Sequence, residues 1–163
     1  MNKTTKLTIS AMYIALYVIT VFLTASISFG AVQIRLANLI YALAFCYPFL
    51  VLPAGISVVL SNLLFGGLGL PDILGGFLVA VTTTYLITLI RKYNLNKALI
   101  GLVILTVPPL GVSTWLSILL HIPYWPLVLS LMLGHVIPAI LGVALIVGVE
   151  KTKTVSKEIS DEE

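Results

Sequence analysis

The sequence predicts an all-α membrane protein, a bundle of six transmembrane helices with both termini on the cytoplasmic side. Three observations lead there. Of its 163 residues, 60% are hydrophobic and only 9% charged, against about 25% charged in an ordinary soluble domain, and the mean hydropathy is +1.14. Long apolar runs recur from residue 7 to residue 149, the first of them about the 20 residues that cross a hydrocarbon core roughly 30 Å thick. The lysines and arginines gather at the chain ends and in one loop, the distribution expected where membrane topology governs charge. Residues 1–149 are predicted to form one transmembrane domain, and 150–163 a charged cytoplasmic tail without stable structure.

The first span covers residues 7–26, after a lead containing Lys3 and Lys6. A basic lead before an apolar run also fits a secretory signal, but this run is long enough to span and has no convincing small-residue cleavage site, so it reads as a retained helix. Ala11 and Ala15 lie four apart on one helix face. Such a small-xxx-small pair lets a second helix approach closely in lipid, although the spacing also arises by chance in alanine-rich helices.

Residues 36–65 are apolar but interrupted by Pro48 and Pro53. Thirty helical residues would extend about 45 Å, too far for one upright span, and an internal proline removes a donor and clashes with the preceding turn. Two short helices, 36–47 and 53–65, are predicted. A glycine-rich loop, GGLGLPD, precedes the fourth span, 73–90, in which Gly75, Gly76 and the threonines at 82–84 suit close packing or hydrogen bonding. The hydrophilic loop RKYNLNK (91–97) leads to the fifth span, 98–120, with a kink expected at Pro108 and Pro109. The turn HIPYWP carries Tyr124 and Trp125, suited to a membrane interface, and the sixth span, 127–149, contains His135 and Pro138.

With six spans and the N-terminus inside, eight of the nine lysines and arginines are cytoplasmic and Arg35 alone is outside. Merging 36–65 into one span and placing the N-terminus outside gives seven against two. Charge separates these weakly; the proline argument favours six. Arg35, Asp72 and the 121–125 turn then share the outer face, where three loops could close over a cavity. No internal repeat of the kind that builds alternating-access transporters is evident.

Catalysis finds little material here. Cys46 is the single cysteine, and His121 and His135 are the only histidines, too few ligands for a hydrolytic or metal site. No GxxxxGK[ST] loop is present to cradle a nucleotide, so neither ATP hydrolysis nor a cofactor is expected. The net charge of +3 reports topology and gives no support for nucleic-acid binding.

Binding is better supported. Gln33, Arg35, Asn38, Asn62 and Asp72 stand among apolar neighbours, and ionisable groups at membrane depth are functional candidates by default. Each has a plainer alternative. Arg35 could snorkel to headgroups, Asp72 could cap the fourth helix or pair with Arg35, and Asn38, Asn62 and His135 could bond helices together. Trp125 could belong to an interfacial belt or lid a planar ligand.

The blocks QIRLANLIYAL (33–43) and PAGISVVLSNLLFGGLGLPDILGG (53–76), with PYWP at 123–126 and the GH pair at 134–135, resemble the QueT family, the membrane-embedded substrate-binding (S) components of energy-coupling factor (ECF) vitamin transporters. The resemblance covers nearly the whole chain. It implies six helices, an outward-facing pocket, and a first helix docking through Ala11 and Ala15 on a transmembrane coupling subunit (EcfT-type) driven by two ATPase subunits. It implies prequeuosine-1, an aminomethyl 7-deazaguanine, as the family ligand, and Gln33, Arg35, Asn38, Asn62, Asp72, Trp125 and His135 as candidate binding residues. Two departures stand out: Asn38 and His135 occupy positions where the family usually has glutamate. Carboxylates suit a ligand ammonium or a guanine N–H face, so their replacement implies a less cationic ligand, such as a neutral or queuine-like deazapurine. A small structural or assembly protein of the membrane is the alternative from a different class. A channel would want a filter or a ring of charges, and neither is evident.

Overall fold

The structure, a computed structural model, describes residues 1–28, 34–65 and 68–162, of which 27, 28 and 153–162 by backbone alone. All regular elements among them are helical: α1 (Lys3–Leu23), the single turn α2 (Ala25–Ser28), the 3-10 helices η1 (Leu36–Phe45) and η2 (Pro48–Leu50), then α3 (Val51–Phe65), α4 (Leu70–Lys92), α5 (Ala98–Leu120) and α6 (Tyr124–Glu162). Five helical stretches among the described residues are long and apolar enough to cross a membrane: α1, η2 joined to α3, α4, α5 and α6 as far as Thr152. The apolar η1 is shorter.

Contacts between elements fix their directions. Lys6 lies over the Phe49 ring, 5.9 Å from its centroid, and Phe22 meets Phe65 with ring centroids 5.4 Å apart, so α1 and α3 run the same way. Arg35 bonds Asn62 near the end of α3, and Arg91 bonds Phe45 and Cys46 at the end of η1. Lys97 pairs with Glu150 beside the same cleft. Successive long elements therefore alternate in direction. Lys6 and Glu150 share the Arg91 end, and Arg35, Asn62 and Asp72 lie at the other.

The α-helix expected over 36–47 is instead a ten-residue 3-10 helix. At about 2.0 Å per residue it reaches roughly 20 Å, where α-geometry would give roughly 15 Å. The chain breaks at Tyr47 and Pro48, while Pro53 sits in the first turn of α3, where a missing N–H would have had no intrahelical partner anyway. That is why α3 begins two residues before the expected start. The fourth helix likewise begins early, at Leu70, with Pro71 in its first turn and Arg91 and Lys92 in its last, favourable for the helix dipole. The fifth matches its expected bounds and ends at His121 in the left-handed conformation, φ 55°. The sixth continues past residue 149, through the tail expected to be disordered, to Glu162. That segment lacks glycine and proline and is rich in glutamate and lysine, both good helix formers.

Burial is inverted relative to a protein in water. Leu7, Phe22, Leu78, Leu102 and Leu133 face outward, each more than half exposed, whereas Asn38, Asn62, Asp72, Thr83, Thr84 and His135 are buried. On α1 the buried face is Tyr13, Tyr17 and Val21, spaced four apart as a helix requires. Gly75 and Gly76 are close-packing positions: a Cβ on Gly75 would stand 2.7 Å from the Trp115 ring, and one on Gly76 3.1 Å from Asn62 Nδ2.

Candidate ligand-binding site

The 3-10 geometry of η1 organises the site. At 3.0 residues per turn, side chains three apart eclipse, so Arg35, at the N-cap, Asn38 and Tyr41 form one straight row. In an α-helix each step of three would turn the row by about 60°. All three line one cavity, closed by Gly76 and Val79 of α4, Pro108 and Val112 of α5, and Leu131 and His135 of α6. Its volume is about 20 Å³, room for about one water molecule.

A directed chain of hydrogen bonds crosses behind this row. Tyr17 of α1 donates its hydroxyl proton to Asn38 Oδ1 at 2.9 Å, leaving its oxygen to accept from the Tyr41 hydroxyl at 3.1 Å. Asn38 Nδ2 stands 2.8 Å from His135 Nε2, and His135 Nδ1 stands 2.8 Å from the Leu131 carbonyl. A carbonyl only accepts, so Nδ1 carries the proton. In the neutral ring Nε2 then accepts from the asparagine. Donation thus runs Tyr41, Tyr17, Asn38, His135, Leu131, and ties α1, η1 and α6 together. Tyr17 and Tyr41 also stack, with centroids 5.6 Å apart and planes 13° from parallel.

A second chain anchors the cation. The Arg35 guanidinium donates to Asn62 Oδ1 at 2.6 Å, and Asn62 Nδ2 donates to the Asp72 carbonyl at 3.0 Å. The Asp72 carboxylate faces elsewhere: Oδ1 accepts from Trp115 Nε1 at 3.1 Å and Oδ2 from the Leu68 amide at 3.4 Å. Asp72 is the third residue of α4. It therefore reaches back past the helix start in the manner of a capping box, instead of capping the helix's own first amides.

The sequence profile of the QueT transporter family matches residues 7–151. The chain belongs to the QueT transporter family. No curated protein and no solved structure matches it. Membership, together with the five long apolar helical stretches, makes it a multi-pass membrane protein of a transporter family.

Of the candidate residues, the structure brings Arg35, Asn38 and His135 to the cavity wall, with Asn62 and Asp72 joined to them through hydrogen bonds. Gln33 lies outside the described residues. Trp125 is not among the cavity's walls; it is 68% exposed and meets Tyr124 edge-on, centroids 5.2 Å apart. Sequence reasoning missed Tyr17, Tyr41 and Trp115. The signal was available for the tyrosines, because a hydroxyl in mid-span needs a partner. Among the described residues no three histidine, cysteine, aspartate or glutamate side chains converge; the cavity wall presents amide, imidazole, phenol and guanidinium groups.

Proposed function

We propose that this member of the QueT family is the substrate-capturing S subunit of an ECF-type importer. It takes a small vitamin-like heterocycle, a queuosine precursor or queuine-like deazapurine, from outside the cytoplasmic membrane. It then releases the ligand inward by docking on an EcfT-type coupling subunit driven by two ATPases. In this reading η1 is the sixth crossing, both termini are cytoplasmic, and the Arg35 end is the outer one. The observation that carries it is the row of Arg35, Asn38 and Tyr41 facing His135 across a single cavity, four polar side chains turned inward. At about 20 Å³ the cavity is far below the roughly 300–1,000 Å³ of a ligand pocket, so capture involves separation of η1 from α4, α5 and α6.

Ala11 and Ala15 are exposed on α1, and Ala15 borders an apolar groove with Met12, Leu16 and Ile19. Both features favour docking of a partner helix there. Co-purification tests the assignment. The chain should recover a coupling subunit and two ATPases, and Ala11→Leu or Ala15→Leu should abolish that recovery while leaving the chain folded. A complex that survives both substitutions removes the docking face. Failure of any coupling subunit to associate favours a structural role in the membrane instead.

A further inference from the structure

We infer that the cleft at the Arg91 end of the bundle holds the phosphodiester headgroup of an anionic membrane lipid, taken by the Nε–Nη2 edge of Arg91. This site depends only on the long helices being membrane spans, and not on any ligand beside Asn38 and His135. Three observations lead to it.

The first is how the guanidinium is held. Arg91 lies in the last turn of α4 and donates to the Phe45 carbonyl at 3.0 Å and to the Cys46 carbonyl at 2.6 Å. Both bonds leave from Nη1, and they hold the planar group against the end of η1. Nε and Nη2 make no hydrogen bond among the described residues. Nε–H and one Nη2–H point the same way along one edge of the fork, the pair that takes a phosphate through two parallel bonds.

The second is space and charge. Arg91, Asn94, Lys97 and Glu150 line a cleft of about 410 Å³, within the range of small-molecule sites, against about 20 Å³ beside Asn38. Glu150 is the only carboxylate among the described residues of its wall, and it pairs with Lys97. Arg91 is therefore the cation of the cleft with no carboxylate paired to it. Asn94, in the left-handed conformation at φ 51°, adds a carboxamide that suits the hydroxyls of a glycerol headgroup.

The third is the level of the cleft. It lies where α4 ends and the hydrophilic loop begins, and Phe45 and Leu95 stand in its wall beside the polar groups. Tyr93 and Leu95 are exposed there, and Lys92 Nζ sits 5.6 Å from the Tyr93 ring centroid. A lipid head at this border meets a cation at its phosphate and apolar surface at its glycerol and first acyl carbons. Basic pockets between transmembrane helices suit anionic lipid heads for this reason. A free phosphate would use only the first half of the site.

Cys46, the only cysteine, belongs to the cleft wall and supplies the readout. The full chain is placed in nanodiscs of phosphatidylglycerol or of phosphatidylcholine, which differ in headgroup charge. Maleimide labelling of Cys46 should be about fivefold slower in phosphatidylglycerol. Native mass spectrometry from mixed discs should show phosphatidylglycerol retained over phosphatidylcholine. Arg91→Gln should bring the two labelling rates together. Because losing Arg91 also loosens the end of η1, Arg91→Lys forms a second arm: it keeps the charge, lacks the two-donor edge, and should lose most of the difference. Lys3→Gln removes a cation outside the cleft and should leave the difference intact. Equal labelling in both lipids, or a difference that survives Arg91→Gln or Arg91→Lys, overturns the inference, and so does one that Lys3→Gln removes. Protection of Cys46 by inorganic phosphate in phosphatidylcholine discs would assign the cleft to a free anion and overturn the lipid.

Discussion

The two ends of the bundle handle positive charge in opposite ways. At one end Arg35 is half-buried and meets a carboxamide, with the nearest carboxylate facing tryptophan and a backbone amide. At the other end Arg91 is exposed and donates to two backbone carbonyls, Phe45 at 3.0 Å and Cys46 at 2.6 Å, while Lys97 pairs with Glu150. Both ends belong to one helix, since Arg35 and Cys46 are the caps of η1. The Arg91 end uses charge to finish a helix terminus, where the last carbonyls lack intrahelical donors. At the Arg35 end the guanidinium donates to the Asn62 carboxamide, which in turn donates to a backbone carbonyl beside the cavity.

The comparison breaks most visibly if the neutral network is removed. Asn38→Leu leaves the Tyr17 hydroxyl and His135 Nε2 without their shared partner in a buried place. Interhelical hydrogen bonds in membranes average about 0.6 kcal/mol each, reaching about 1.7, so loss of two should cost about 1–3 kcal/mol. Thermal unfolding in detergent should show the fall, and Tyr17→Phe, which loses its bonds to both Asn38 and Tyr41, should show a similar one. An Asn38→Leu protein as stable as the original would mean that the chain of donors holds nothing together.

Next in size is overpacking at the support of Asp72. A Cβ on Gly75 would meet Trp115 at 2.7 Å, so Gly75→Ala must displace the indole that donates to Asp72. Overpacking of this kind costs typically about 1–3 kcal/mol. Trp115 and Trp125 are the only tryptophans, so in a Trp125→Phe background the emission reports Trp115 alone. A spectrum unchanged by Gly75→Ala would place the indole elsewhere.

A smaller effect is expected from Arg91→Ala, which strips two carbonyls of a charged donor at a solvated terminus, worth about 0.5–1 kcal/mol. The only cysteine, Cys46, lies at that terminus and supplies the readout. Maleimide labelling of Cys46 should accelerate in the variant, and a constant rate would mean that Arg91 does not hold the end of η1.

The sequence disclosed the bundle readily because apolar runs and proline positions are strong signals. It did not disclose the 3-10 geometry. Over ten residues that are nearly all apolar, periods of 3.0 and 3.6 leave the same pattern, and only the polar positions 35, 38 and 41 distinguish them. Arg35, Asn38, Asn62, Asp72 and His135 were legible as polar groups out of place. Their wiring was not, because it depends on contacts between residues 97 apart, as between Asn38 and His135, or 43 apart, as between Asp72 and Trp115. Aromatic residues with a polar atom merge into the apolar background, which hid Tyr17, Tyr41 and Trp115.

The smallest expected effect sharpens the comparison most. Lys97 and Glu150 keep 43% and 36% of their side-chain surfaces exposed, so solvent screens their attraction and each pays entropy to hold one geometry. An exposed pair of this kind contributes roughly 0–1 kcal/mol, and less as salt rises, because the screening length shortens to about 3 Å at 1 M. Lys97→Ala should therefore lower the unfolding midpoint slightly in dilute buffer and by less in high salt. Substitutions in the buried chain behind η1 should show no such salt dependence. If Lys97→Ala is as costly as Asn38→Leu, or insensitive to salt, the Arg91 end is not a solvated surface. The contrast between a screened end and an unscreened one would then give way to a bundle whose two ends are equally shielded.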